Sequence, residues 1–214
     1  MKNVNGLWLP DSDEHFRGPG YEHATRQTAL GLCPGRGLAI DIGAHVGIWS
    51  VDLAQNFDRV VSFEPNPENR ECLVKNLEGV SNVDIRKQAV SDRDDMGTLT
   101  SLREGNSGMW GLARSGEQVS SSSYFVKTIT LDSLSFQNVD FIKIDAEGHE
   151  AAVLRGARET INRSRPTICL EAKSSKDMPL SAVMNVLSDT FDRFDIGYIP
   201  HRTGSEIIYT AEVA

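Results

Sequence analysis

Two acidic side chains follow consecutive apolar runs in the first third of the chain. Asp41 follows the run 38–40 and Glu64 follows the run 59–63, with a glycine turn at 43–47 between them. Each run is typical of a buried strand in a parallel sheet, and ligands bind in the crevice beyond the carboxyl ends of such strands. The spacing therefore predicts that Asp41 and Glu64 face the same cavity.

The glycine spacing excludes a dinucleotide and favours a cationic nucleoside. The dinucleotide fingerprint needs glycines at relative positions 1, 3 and 6, whereas Asp41 and Val46 occupy the outer two positions and only Gly43 fits. A pyrophosphate is also disfavoured by the negative charge of Asp41 at a helix start. S-adenosylmethionine carries an ammonium and a sulfonium beside adenosine. We expect Asp41 to hold its amino acid end, directly or through water, Gly43 to allow close backbone approach, and Glu64 to accept both ribose hydroxyl protons.

A second dense group of polar residues follows a later apolar run and consists of Asp145, Glu147, His149 and Glu150. Asp145 fits either binding of the donor's amino group or orientation of a methyl acceptor, and Glu147 and His149 fit removal of a hydroxyl proton. Carboxylates with a histidine are also compatible with a divalent metal, although we predict none, and the spacing is not HExxH. The alternative is that Glu147, His149 and Glu150 only cap and charge the first turn of the next helix.

The elements that would position these groups alternate between strands and helices, which favours a parallel sheet. Predicted strands cover 38–42, 59–63, 83–90, 139–145 and 167–171, followed by a terminal hairpin of 194–199 and 206–210 that turns through Thr203 and Gly204. Predicted helices cover 21–32, a segment starting at Asn66–Pro67, a segment burying Val153, Leu154, Ala157 and Ile161, and a segment burying Val183, Met184, Leu187 and Phe191.

The stretch 92–124 is predicted to be irregular, as a functional lid or a disordered loop. Strand pairing is open for 98–102 and for 125–131, which contain β-favouring residues. Met109 and Trp110 fit two roles equally well, because they can line a substrate pocket or attach the loop to the protein body.

Composition limits the classes of partner and compartment. The 214 residues contain 22 basic and 30 acidic side chains, for a net charge of −8, so nucleic acid is not expected as a partner. No apolar run approaches the ~18 residues of a membrane span and no signal peptide is evident, which predicts a soluble cytoplasmic protein without a membrane partner. The cysteines Cys33, Cys72 and Cys169 lack CxxC spacing and are predicted to be reduced thiols. A homodimer is the default expectation.

Motifs spread in order along most of the chain resemble the FkbM family of S-adenosylmethionine-dependent methyltransferases. They are Gly20–Glu22, Asp41–Gly47, Phe63–Pro65, Gln88–Asp92, Asn106–Gly108, Thr130–Asp132, Lys143–Glu150 and Val153–Ala157. The combination of DxGAxxG with KIDxEGxE is the specific part of this resemblance. One departure is His45, where the family often has asparagine, and it would bring a titratable group near the methionine end of the donor.

The resemblance implies an α/β, Rossmann-like class I methyltransferase fold with a seven-stranded, mostly parallel sheet and a C-terminal antiparallel β-hairpin. Residues 1–36 would form an N-terminal cap segment and helix, and 37–214 the methyltransferase domain, with 92–124 as a substrate or lid loop. The implied reaction moves a methyl group from S-adenosylmethionine to a hydroxyl of a small metabolite or sugar, leaving S-adenosylhomocysteine. An RNA or protein methyltransferase, and a non-catalytic donor-binding module, stay open as alternatives, because a shared fold does not fix the acceptor.

Site residues follow from the resemblance by position. Donor binding is expected from Tyr21, Asp41, Gly43, Ala44, His45, Gly47, Glu64, Pro65, Ala89, Val90, Ser91, Asn106 and Asp145. Glu64 would take the ribose, Ala89 and Val90 with the Ser91–Asp92 turn would bound the adenine, and Tyr21 with Glu22 would close over the donor. Catalysis is expected from His149, Glu147 and Asp145, with no role assigned to Lys143.

Overall fold

A computed structural model describes residues 1–16, 18, 20–113, 116, 118–172, 180–190, 195–201 and 204–210. The predicted positions Phe191, Phe194 and Thr203 lie outside these residues. The strands are β1 (Lys2–Val4), β2 (Leu7–Leu9), β3 (Leu38–Ile42), β4 (Arg59–Phe63), β5 (Val83–Arg86), β6 (Ala89–Val90), β7 (Asp95–Ser101), β8 (Trp110–Leu112), β9 (Ser123–Ile129), β10 (Val139–Ile144), β11 (Thr167–Ala172), β12 (Asp195–His201) and β13 (Gly204–Thr210). The helices are α1 (His23–Leu32), α2 (Ile48–Asn56), α3 (Pro67–Asn76), α4 (Glu150–Gly156), α5 (Arg158–Ser164) and α6 (Leu180–Thr190), with a short 3₁₀ turn at Asp132–Leu134.

The main sheet has the strand order β12-β13-β11-β10-β3-β4-β5. The five strands from β11 to β5 are parallel to one another, and β13 and β12 add antiparallel pairs at one edge. The prediction of an α/β fold with a parallel central sheet is confirmed. All five residues of β3 are buried, as expected for a parallel strand that is covered by helices on both faces.

Helices cover both faces of this sheet. On one face, Ile42, Phe63 and Ile144 pack with Leu154 of α4 and Ile161 of α5 in the largest core cluster. On the other face, a second cluster contains Ala39, Val60 and Phe141 with side chains of α1 and α2. The predicted start of α3 is also confirmed, because the Asn66 side chain accepts a hydrogen bond from Glu68 N at 2.8 Å and Pro67 occupies the first turn.

Two predicted elements are each divided in the structure. The single strand expected over 83–90 is wrong, because β5 belongs to the main sheet whereas β6 pairs with β9 in a second sheet. The single helix expected to bury residues 153–161 is interrupted at Ala157, where φ is −112°, and forms α4 and α5. The predicted core of that segment is nevertheless correct, since Val153, Leu154, Ala157 and Ile161 are all buried.

The prediction that 92–124 is irregular is wrong for part of its length, and the strand pairing left open for 98–102 and 125–131 is confirmed by the pairing of β7 with β9. This segment contributes β7, β8 and the first residues of β9, and the four strands of the second sheet lie in the order β6-β9-β7-β8. Because β7 pairs with β9 across more than twenty residues, the sheet depends on contacts that no local pattern reveals.

The N-terminal segment contains a hairpin that the sequence pattern did not predict. Strands β1 and β2 pair antiparallel, and Leu7 and Leu9 pack with Val46 and Cys72. Asn76 of α3 holds the hairpin by bonding to the backbone N–H and carbonyl of residue 8, at 2.7 and 2.9 Å. These contacts attach the first residues of the chain to the main body.

No helix in the described part of the chain combines the length and apolar character needed to cross a membrane. Cys33, Cys72 and Cys169 are buried free thiols, as predicted.

Candidate active site

A cavity of about 550 Å³ lies at the carboxyl ends of β3, β4, β10 and β11. This volume falls within the ~300–1,000 Å³ of small-molecule sites. One wall comes from the N-terminal segment between Asp13 and Glu22, and another from residues 99–112 of the second sheet and its loop. The cavity is therefore closed in part by segments that do not belong to the main sheet.

Most of the predicted site residues line this cavity. They are Tyr21, Gly43, Ala44, His45, Glu64, Pro65, Ala89, Val90, Asn106, Asp145, Glu147 and His149. Glu22, Met109 and Trp110 also line it, and the Trp110 ring lies 5.3 Å from that of Tyr124. Asp41, Gly47 and Ser91, which were also predicted to bind the donor, do not line the cavity.

The prediction that Asp41 faces the cavity is wrong. Its side chain is fully buried, and Oδ2 accepts a hydrogen bond of 2.6 Å from Ser50 Oγ of α2. Asp41 is the fourth residue of β3, so its side chain points from the sheet face toward α2, whereas Glu64 follows the end of β4 and its side chain lines the cavity. Burial raises the pKa of the Asp41 carboxyl, an effect that Lys143 and Ser50 oppose.

Lys143 connects Asp41 to the cavity. It lies beside Asp41 in the sheet register, and its ammonium is 3.6 Å from Asp41 Oδ1 and 3.7 Å from Asp145 Oδ2. The ammonium also donates a 2.7 Å hydrogen bond to the carbonyl of Gly43. Burial alone would lower the pKa of Lys143, but the carboxylates of Asp145 and Asp41 outweigh it and raise the pKa above the ordinary lysine value.

Two glycines of the predicted turn have positive φ, and one of them is also required by a backbone neighbour. Gly43 has φ +76°, and a Cβ built there would lie 1.8 Å from the backbone oxygen of Asp145. Gly47 is the N-cap of α2 with φ +95°, and a Cβ there would lie 2.6 Å from Leu73. Gly43 therefore permits close packing of two strand ends, while Gly47 shapes the turn from behind the cavity lining.

Both carboxylate oxygens of Glu64 are held by backbone N–H groups. Its Oε1 accepts a 2.8 Å hydrogen bond from Asn66 N, and its Oε2 accepts one of 2.7 Å from His45 N. A carboxylate has about four acceptor positions, so two stay available toward the cavity. Burial raises the pKa of Glu64 to about 7, against the opposing effect of the two backbone N–H groups.

The residues after β10 separate into structural and cavity-facing groups. Glu150 is buried and accepts hydrogen bonds from Ala146 N and Gly148 N at 3.0 and 3.1 Å, so its structural role is confirmed. Glu147 and His149 instead line the cavity, and the Nε2 of His149 lies 2.8 Å from Ser91 Oγ. Ser91, predicted to bound the adenine, thus contacts His149 from outside the lining.

Three carboxylates at this end of the cavity lie close together. Asp145, Glu147 and Glu171 each offer an oxygen, and these atoms are within 4.8 Å of one another, which is close enough to hold a metal ion. The Asp145 Oδ1 atom is buried without a hydrogen-bond partner. An ammonium is an alternative cation for such a group, because carboxylates stabilise any nearby positive charge.

Backbone strain is found at three residues of the cavity wall. Glu22, His45 and Glu147 have φ values of +55°, +53° and +46°. Residues other than glycine rarely adopt this left-handed backbone conformation. Such conformations are concentrated at functional sites because the surrounding structure must enforce them.

The donor set of the cavity fits S-adenosylmethionine. Glu64 has free acceptor positions for hydroxyl groups, and Asp145, Glu147 and Glu171 supply negative charge for the ammonium and sulfonium. Lys143 is a basic residue of the cavity lining to which the sequence analysis assigned no role. A lysine inside an apolar strand and next to acidic residues could have identified it, because a buried charge needs a partner. Glu171 was also missed, and its position at the end of a predicted strand was the same signal that identified Glu64.

Solved structures share this fold. An FkbM methyltransferase from Methylobacillus flagellatus KT has a TM-score of 0.59 at 18% identity, and the match covers 90% of this chain and 50% of that protein. The chain thus spans half the length of that relative. The precorrin 8W decarboxylase of Methanobacterium thermoautotrophicum has a TM-score of 0.60 at 17% identity, covering 99% and 100% of the two chains. A putative methyltransferase from Streptococcus mutans, solved with S-adenosylhomocysteine, has a TM-score of 0.56 at 11% identity, covering 92% and 100%.

The family assignment rests on the sequence. No curated protein matches the chain significantly. The sequence model of the methyltransferase FkbM domain, however, matches residues 41–194, which contain both the glycine turn and the acidic residues after β10. Because the match spans most of the chain and both halves of the cavity, this protein belongs to the FkbM methyltransferase family.

Proposed function

We propose that this methyltransferase transfers the methyl group of S-adenosylmethionine to a hydroxyl oxygen of a small metabolite or sugar. The observation that carries the proposal is the partly closed cavity, with Glu64 on one side and Asp145, Glu147 and His149 on the other. Its volume of about 550 Å³ suits a nucleoside with a small second molecule rather than a macromolecule.

The donor would lie along the strand ends. Glu64 would accept the ribose hydroxyls, Ala89 and Val90 would contact the adenine, and Gly43 with Ala44 would border the methionine part. Asp41 would act through Lys143 rather than by contact, since it is fully buried. Tyr21, together with Pro65 and Asn106, would complete the enclosure from the remaining walls.

The acceptor would lie beside the residues that follow β10. When bound, S-adenosylmethionine supplies a methyl group on a positively charged sulfur; an acceptor oxygen forms the new C–O bond as the C–S bond breaks. The main task of the chain is to align the acceptor, and alignment contributes ~7 to 11 kcal/mol in well-oriented reactions. His149 or Glu147 would take the hydroxyl proton, an effect of roughly 10²- to 10⁴-fold.

Three alternatives are less well supported by the residues. An RNA methyltransferase needs a basic track for phosphates, whereas the chain has a net charge of −8 and the cavity wall is rich in acids. A non-catalytic donor-binding module would lack space for an acceptor, and a protein methyltransferase would need the cavity to admit a peptide chain.

The test is a screen of hydroxylated metabolites and sugars with a labelled methyl donor, with and without magnesium. We expect label transfer to a hydroxyl of at least one small molecule. Transfer only to RNA or to protein would contradict the proposal, as would donor binding without transfer to any acceptor.

Two variants test which residue beside the acceptor takes the hydroxyl proton. His149→Ala is expected to lower turnover while the affinity for S-adenosylhomocysteine is unchanged, and Glu147→Gln is expected to do the same if Glu147 is the base. His23→Ala and Glu159→Gln, which change exposed residues of the same types, serve as controls. If His149→Ala had normal turnover, His149 would not be the base, and its role would be the contact with Ser91.

A further inference from the structure

Three residues from distant parts of the chain form a hydrogen-bonded row that ends at the cavity. His45 Nε2 lies 2.6 Å from Ser107 Oγ, and Ser107 Oγ lies 2.5 Å from Asp13 Oδ2. The same Asp13 oxygen also accepts a 2.9 Å hydrogen bond from Ser107 N. The row therefore connects the N-terminal segment, the loop before β8 and the glycine turn.

Counting the available protons shows which atom donates and which accepts in each hydrogen bond of the row. Asp13 accepts four hydrogen bonds, two from Ser107 and two from the backbone N–H groups of His15 and Phe16. Burial alone would raise the pKa of Asp13, but these hydrogen bonds outweigh it and lower the pKa below the ordinary value. Asp13 is thus a carboxylate, and the single hydroxyl proton of Ser107 is donated to it.

Because the Ser107 proton is used, His45 must be the donor in its bond to Ser107. A neutral imidazole has one N–H, which then lies on Nε2, and Nδ1 retains its lone pair. Burial lowers the pKa of His45 to about 4, with Lys143 acting in the same direction and with Asp13 and Asp145 opposing. The ring is therefore neutral at physiological pH and presents a single acceptor nitrogen.

His45 is half-buried and lines the ligand cavity, and no described residue forms a hydrogen bond with its Nδ1. Nδ1 is therefore the ring atom that we assign to contact with a ligand. The backbone N–H of His45 binds Glu64 Oε2, so the ring lies next to the acid that we assign to the ribose. The charged groups nearest to the ring along these elements are Asp13, Glu64, Lys143 and Asp145.

We propose that Asp13 and Ser107 are positioning residues that hold His45 in the Nε2–H tautomer, so that Nδ1 accepts a hydrogen bond from the bound nucleoside. The inference rests on the proposed function, because it assumes that the adenosyl donor occupies this cavity. The partner group is a hydrogen-bond donor, which the adenosyl donor offers as its ammonium or as one ribose hydroxyl; in the second case Glu64 accepts the proton of the other hydroxyl alone. A neutral ring suits both, since it does not repel the positive charge of the donor.

A double-mutant cycle tests this role with S-adenosylhomocysteine as the probe and calorimetry as the measurement. Ser107→Ala is expected to weaken binding about 2- to 12-fold, the range for one neutral hydrogen bond. The side-chain amide introduced by His45→Asn can present an acceptor near the position of Nδ1 without contacting Ser107. In that background Ser107→Ala is expected to have no further effect, because the serine acts through the histidine.

The outcomes that overturn the inference are distinct from failure of the proposed function. An equal loss of affinity from Ser107→Ala in both backgrounds would show that Ser107 only anchors its loop, and unchanged affinity in both would show that it has no role in binding. If the unmodified protein does not bind S-adenosylhomocysteine at all, the proposed function itself fails. Methylthioadenosine, which has the ribose but no amino acid end, assigns the partner group. If Ser107→Ala and His45→Asn remain coupled in the binding of methylthioadenosine, the partner of Nδ1 is a ribose hydroxyl. If the coupling disappears, the partner is the ammonium.

A second measurement does not depend on the folding of any Ser107 variant. Nitrogen-15 NMR of the histidine rings, with His45 assigned by its loss in His45→Asn, reports which nitrogen carries the proton. We expect a protonated Nε2 and a bare Nδ1, unchanged between pH 8 and about pH 6, because burial keeps the pKa of His45 at about 4. A proton on Nδ1, or a ring that titrates within this interval, would overturn the inference.

Discussion

The ammonium of Lys143 donates a 2.7 Å hydrogen bond to the carbonyl oxygen of Gly43. This contact joins the end of β10 to the glycine turn after β3, the two segments whose combined motifs are the specific part of the family resemblance. Lys143 also lies between the carboxylates of Asp41 and Asp145. One buried cation thus fixes the backbone of the turn and balances the charge of two acids.

Replacing Lys143 with methionine is expected to destabilise the protein by about 3–5 kcal/mol, since it leaves the buried charge of Asp41 without its cation. Urea unfolding measures the change, and Lys87→Met at an exposed position is the control. Equal stability of the two variants would mean that the interaction of Lys143 with its acids contributes nothing to folding.

Replacing Gly43 with alanine is expected to disrupt the turn, because the added Cβ would lie 1.8 Å from the Asp145 backbone oxygen. Gly79→Ala is a matched control, since Gly79 also has positive φ, at +85°, but has open space around it. The control is expected to lose only the ~1–2 kcal/mol of left-handed strain. If thermal unfolding gave the same loss for both variants, the close packing at Gly43 would not be important.

Replacing Glu64 with alanine is expected to weaken binding of S-adenosylhomocysteine by well over tenfold, because two hydroxyl groups would lose a charged acceptor. Calorimetry measures the affinity, and Glu71→Gln on the exposed side of α3 is the control. Unchanged affinity of the alanine variant would remove the ribose assignment from Glu64.

The affinity for S-adenosylhomocysteine is expected to depend on pH through Glu64. Burial raises the pKa of this carboxyl in the free protein to about 7, and only the ionised form accepts two hydroxyl protons. Binding should therefore weaken as pH falls below 7, by up to about tenfold per pH unit. Glu64→Gln should remove this dependence, and a pH profile that is identical in the two proteins would exclude Glu64 as its source.

Stability should respond to the same group in the opposite sense. Because the folded-state pKa of Glu64 is raised above its unfolded value, the folded protein binds more protons between about pH 4.5 and pH 7. The contribution of Glu64 to the free energy of unfolding is therefore greatest at low pH and is lost as pH rises through this interval. Urea unfolding at several pH values should give a flatter profile for Glu64→Gln than for the unmodified protein.

Local patterns predicted the groups that lie past the strand ends. Glu64 and Asp145 each directly follow a strand, and both line the cavity. Asp41 was predicted wrongly because it precedes the end of β3 by one residue, and the alternation of a strand sends it toward α2. Lys143 occupies the corresponding position on the neighbouring strand, which only the sheet register reveals.

Long-range contacts account for what the sequence did not predict. Asp13 and Ser107 are 94 residues apart, and their contact depends on the N-terminal hairpin and the second sheet. The pairing of β7 with β9 likewise joins segments whose separate patterns are short and partly polar. These elements position the outer walls of the cavity, which include the motifs Gly20–Glu22 and Asn106–Gly108, whereas the motifs at the ends of β3, β4 and β10 build its floor.

A crystal structure of this protein with bound S-adenosylhomocysteine tests the donor site itself. We expect the ligand in the cavity at the ends of β3 and β4, with its ribose hydroxyls hydrogen-bonded to the carboxylate of Glu64. A ligand bound elsewhere, or one whose ribose does not contact Glu64, would contradict this assignment of the donor site.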